Sequence, residues 1–216
     1  MKRRATAAII LLAATAQVAG AQVRMAVTGV ATRVGSSIVV QGVAEDGTGS
    51  WVGGRGVLEA GLLTAEFVAL RGTLAPSGGS AGLERDGGEM RAVAGIRPIR
   101  WLTVEGGYTL RAFDSPAGYQ KWTIPSAGLR LATDLGTRAL RGYVRGAYAF
   151  GVSVSGQSAA TLGLMVESGF ELAPRRVPVS LALFHRFERY DFPDGAAGRL
   201  EHFDVLGVAL GFGFGR

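Results

Sequence analysis

The chain has 216 residues, 48% of them hydrophobic, yet charges or glycines break every apolar stretch after the N-terminal one. A spanning helix needs about 20 consecutive apolar residues, so none is expected in the body of the protein. The formal charge of +6 comes from 23 basic and 17 acidic residues, and beyond Lys2-Arg3-Arg4 the basic ones form no cluster, which argues against a nucleic-acid partner.

The N-terminus carries the three parts of a secretory signal. Lys2, Arg3 and Arg4 form the basic region, Ala8 to Ala14 the core of a short apolar run, and Ala19-Gly20-Ala21 a small-residue cleavage site. Cleavage is predicted before Gln22, so residues 1–21 are a signal peptide and 22–216 one folded domain. Loss of the three basic residues leaves 20 against 17 acidic ones, a net charge of +3. The exported chain has no cysteine, so its stability must come from its sheet.

Residues 22–88 alternate weakly. A first strand is expected within 24–45, a hairpin at 51–60 and 63–73, and a loop at 74–88. A helix across 57–71 fits the spacing of apolar residues, but Gly56, Gly61 and Gly72 weaken it.

Seven alternating segments follow, at 89–97, 101–113, 122–133, 139–152, 160–172, 177–190 and 202–214. In the clearest of them Leu102, Val104, Tyr108 and Leu110 share one face, and Thr103, Glu105, Thr109 and Arg111 share the other. The polar faces together carry Glu105, Arg111, Arg130, Arg141, Arg145, Glu167, Glu171, Arg186 and Glu188. Charges of both signs, mixed with glycine and alanine, suit a confined lumen of ion pairs with the apolar face turned to lipid. Trp101 and Phe214 lie at one set of strand ends, and Phe113, Trp122, Phe187 and Tyr190 at the other, where interfacial aromatic girdles are expected.

On this pattern the chain resembles the small bacterial outer-membrane β-barrels of the outer-membrane protein A, X and W type, over nearly all its mature length. In the closing strand Gly207, Leu210, Phe212 and Phe214 look like that family's C-terminal assembly signal, although Gly215-Arg216 follow the terminal aromatic. The resemblance implies an all-β, antiparallel, up-and-down transmembrane barrel in the outer membrane. Its partners would be outer-membrane lipid and, during insertion, the barrel-assembly machinery. Short connections at 97–100, 134–137 and 173–176 would be periplasmic, and longer ones at 114–121, 153–159 and 191–200 external. Three strands upstream of residue 89 give ten in all, with eight as the alternative if 51–73 is not a hairpin.

Motifs with chemical potential are few. His185 and His202 are the only histidines; His202 shares a face with Asp204, as a base oriented by a carboxylate would. No serine stands in a nucleophile motif, and His185 and Glu188 fall on opposite faces of a strand. Gly54-Arg55-Gly56 with Gly61 lacks the strand–helix unit of a phosphate loop. Glu84, Asp86 and Glu89 could meet a divalent cation, but a solvated loop is the better reading. No catalytic, cofactor or metal residue is therefore expected. The expected role is a monomeric structural or interaction barrel with a largely filled lumen; a narrow solute channel and a lipid-modifying enzyme resting on His202 are the alternatives.

Overall fold

The structure, a computed structural model, describes residues 23–40, 42–78, 83–116, 118–155, 159–174, 177–193 and 198–214. The signal segment 1–21 and its cleavage site lie outside the described residues, as do Gly215-Arg216 and the side chain of Phe214.

Ten long strands and one short one follow in chain order: β1 (Val23–Val40), β2 (Val43–Ala60), β3 (Leu63–Ser77), β4 (Arg85–Ile99), β5 (Leu102–Ser115), β6 (Gly118–Leu135), β7 (Thr137–Ala149), β8 (Ser153–Val154), β9 (Leu162–Leu172), β10 (Val179–Phe192) and β11 (Arg199–Phe214). Sequential long strands pair antiparallel, β11 returns to β1, and β5 pairs with β6, so the sheet closes. β8 is a two-residue addition to β6 near its N-terminal end, at Trp122 and Thr123. The ten-stranded expectation holds.

The register fixes the tilt. A path along paired residues from Leu102 passes through Leu131, Val144, Ser168, His185, Leu206, Arg33, Ser50, Thr73 and Asp86. It returns to β5 at Asp114 instead of position 102. Closing ten strands with that stagger inclines them by roughly 40° to the barrel axis and leaves no open edge.

The upstream region departs most from expectation. β2 reaches back to Val43, through a polar, glycine-rich run (VAEDGTGS) of low intrinsic strand propensity. It is extended because β1 pairs with it from Val43 onward and β3 from Asp46 onward. The stretch 57–71 is the end of β2, a turn and the start of β3. Gly61 takes φ 59° in that turn, a conformation an L-residue rarely adopts. The expected loop 114–121 is a correction: β5 runs to Ser115 and β6 starts at Gly118, leaving a tight connection. The expected strand 139–152 ends at Ala149, and Val152 and Val154 turn into the barrel mouth instead.

The two faces of the wall are chemically opposite. Outward positions include Val27, Phe67, Met90, Val104, Leu129, Val144, Phe170, Leu183 and Leu210, all at least 40% exposed. Inward positions hold charged residues through much of the lumen and an aromatic cluster toward the β8 end, where the buried Glu201 also pairs with Arg199. An apolar exterior round a polar interior is the arrangement of a barrel solvated by lipid.

Candidate functional site

The lumen is the first candidate, and it is full. In its lower half Glu66 accepts Arg55 and Arg91 at 2.9 Å and Arg145 at 3.1 Å. Glu167 receives Arg91 at 3.1 Å and the Tyr143 hydroxyl at 3.2 Å. Arg145 also meets Glu105 at 2.7 Å through Nε, and Glu171 joins Arg130 at 2.9 Å to Arg55 at 3.6 Å. Four arginines (55, 91, 130, 145) thus face four glutamates (66, 105, 167, 171), and the cluster is neutral.

A second layer sits toward the end of the barrel that carries β8. Glu89 takes Arg111 at 2.6 Å and Arg186 at 2.9 Å. Glu188 takes Arg111 at 2.7 Å, Arg186 at 2.9 Å and the Tyr190 hydroxyl at 3.0 Å. Two arginines again balance two glutamates. Neutrality within each layer is what makes burial tolerable, because a buried charge without its partner costs several kcal/mol.

Above the charges lies an aromatic plug. Trp122, fully buried, has Tyr190, Phe192 and Phe203 around it at ring-centroid distances of 5.4, 5.6 and 5.8 Å. Phe113 stacks on Phe203 and meets Trp51, each at 6.1 Å. The Arg111 guanidinium lies 4.3 Å from the Phe203 ring centre, tying the plug to the charge layer beneath. β8 closes over it: Val154 pairs with Trp122, and Val152 and Val154 are buried against the plug.

Several sequence expectations are corrected here. Phe113, Trp122 and Tyr190 are not girdle residues; parity of their strands turns them inward, into the plug. Trp101 is exposed on the outer wall as expected. Arg141 lies apart from the ion pairs, donating to the Arg100 carbonyl at 3.3 Å. Glu89 is not a loop acid but one of the most buried side chains in the protein. Arg55, Glu66 and Arg91 were absent from the expected lumen set. Period-two alternation through Ala65-Glu66-Phe67 and Met90-Arg91-Ala92 is the signal that places them there.

The outer wall carries the histidines. Asp204 is held by His185, whose Nε2 lies 3.1 Å from each carboxylate oxygen, and not by His202. The His202 ring packs on Phe187 at 5.6 Å. The expected His202–Asp204 pairing therefore does not form. In the closing strand Gly207 faces inward beneath the Phe184 ring, and Leu210 and Phe212 face outward at 60% and 55% exposure. The Phe214 backbone pairs with Met25 at the seam.

No protein-family model matches the chain, and no curated protein matches it. Among solved structures the chain is similar to the outer membrane protease OmpT from Escherichia coli, with TM-score 0.56 and 9% identity over 89% of this chain and 97% of that one. It is also similar to Neisserial surface protein A, with TM-score 0.38 and 12% identity over 86% of this chain and 97% of that one. At such identities the likeness is one of fold. The fold is that of the small bacterial outer-membrane β-barrels, in a ten-stranded form.

Proposed function

We propose that the protein is an exported, non-conducting outer-membrane barrel whose role is structural or interactive and without catalysis. The observation that carries this reading is the filled lumen. Two neutral charge layers, an aromatic plug and the β8 segment occupy it. A cavity bordered by Arg55, Tyr143, Glu167 and Arg186 has a volume of only about 10 Å³, at the lower limit for one water molecule. A solute path needs a continuous wet lumen, so this arrangement speaks against the channel. What the protein offers its surroundings is then its outer wall and external rim.

Planar-bilayer recording of the purified barrel tests the proposal. Baseline conductance with at most rare, brief openings is expected. A large, stable open level would overturn it and establish a channel.

A further inference from the structure

Allowing for a stagger of about one residue per strand, four outward charges fall at one level near the external rim: Arg33, Arg71, Arg189 and Asp204. Trp101 and Thr133 lie near the opposite rim. Between these levels every outward position on the ten long strands is apolar, aromatic or glycine, with two exceptions, Ser168 and His185. Those two are direct cross-strand partners.

That spot lies in the lining of a groove of about 710 Å³, together with Trp101, Gly142, Phe170, Leu183 and Leu206. A largely apolar concavity of this size with a few fixed polar groups is the ordinary form of a small-ligand site. The polar groups also have defined roles. A carboxylate only accepts, so the contact with Asp204 calls for a proton on His185 Nε2, and in the tautomer carrying that proton alone Nδ1 is an acceptor. Ser168 beside it brings a hydroxyl donor.

We propose that this wall binds an outer-leaflet lipid through a hydroxylated acyl chain. The chain lies in the groove toward Trp101, and its hydroxyl, a few bonds below the headgroup, is met by His185 Nδ1 and Ser168 Oγ. A hydroxyl both donates and accepts, which matches this pair; an unsubstituted chain offers neither. The inference rests on the proposed membrane placement of the barrel and locates a lipid contact within it.

Trp101 supplies the reporter. Of the three tryptophans, Trp51 and Trp122 are buried in the lumen, so a lipid-borne quencher reads Trp101. The protein is reconstituted in phosphatidylcholine brominated near the chain end, and β-hydroxymyristic or myristic acid is added as competitor. The hydroxylated acid should restore fluorescence at about three- to tenfold lower mole fraction, the advantage expected of one or two net hydrogen bonds. Ser168→Ala and His185→Leu should each shrink that difference, and Gly142→Leu should abolish displacement by both acids.

Equal displacement by the two acids would overturn the proposal. So would a preference that survives both polar substitutions. Protein-concentration-dependent shielding of Trp101 from all lipids would also overturn it, assigning the wall to a second copy of the chain. Heat-modifiable gel mobility shows separately whether each variant still forms a barrel, and failure of the unaltered protein to insert into bilayers would count against the membrane reading itself.

Discussion

Glu89 shows how much depends on a single side chain. It is fully enclosed, and both Arg111 and Arg186 rely on it. Removing one partner of a buried pair leaves an uncompensated charge, so Glu89→Ala should lower barrel stability by about 3–5 kcal/mol. Urea unfolding followed by loss of compact gel mobility measures this; a shift below 1 kcal/mol would contradict the layer's structural role. Replacing Glu89 and Arg186 together by apolar residues should cost less than the sum of the single changes, since the two losses share one interaction. In sequence Glu89 sits in Arg85-Asp86-Gly87-Gly88-Glu89, a run that reads as a solvated turn. Only pairing with β3 and β5 extends that run and aims the carboxylate inward.

At the level of elements, the closing seam and the cap make separate predictions. β11 meets β1 along its whole length, and a Cβ at Gly211 would collide with the Val27 carbonyl across that seam. Gly211→Val should therefore impair closure, seen as reduced yield of heat-modifiable barrel. Phe214→Asp tests another property of the same strand. A charge near the interface costs only about 0–1 kcal/mol, so slowed insertion with little change in final stability is expected if β11 carries the assembly signal. Insertion at the unaltered rate would remove that role. In β8, Val154→Asp would place a carboxylate against the buried Trp122 ring. The 150–161 segment should then be cut faster in limited proteolysis while the barrel persists; unchanged cleavage would show that β8 docks without help from that contact.

For the whole molecule, the charge balance of the lumen and the route of export are both open to test. Glu167→Gln with Glu171→Gln leaves Arg55, Arg91, Arg130 and Arg145 facing only Glu66 and Glu105 in the lower layer, an excess of two positive charges. The doubly substituted barrel should be destabilised or show an anion-selective leak where the unaltered one is silent. An equally stable and silent double variant would mean that the layer does not seal the lumen. Export predicts that protein purified from the outer membrane begins at Gln22, and N-terminal sequencing that returned Met1 would refute the cleaved signal.

Period-two alternation after residue 89 was enough to predict an all-β barrel, and Glu105, Arg111, Arg145, Glu167, Arg186 and Glu188, which it groups on one face, are all buried in the lumen. Alternation is a local property, and one slip of register would invert it, so it survives in the sequence alone. The extension of β2 to Val43, the inward turn of Phe113 and Trp122 at strand ends, the return of β8 and the exchange of His202 for His185 beside Asp204 were decided by tertiary structure. Each depends on which residue of one strand stands beside which residue of the next. In a closed barrel that is set by the stagger around the whole circumference, a quantity no single segment contains.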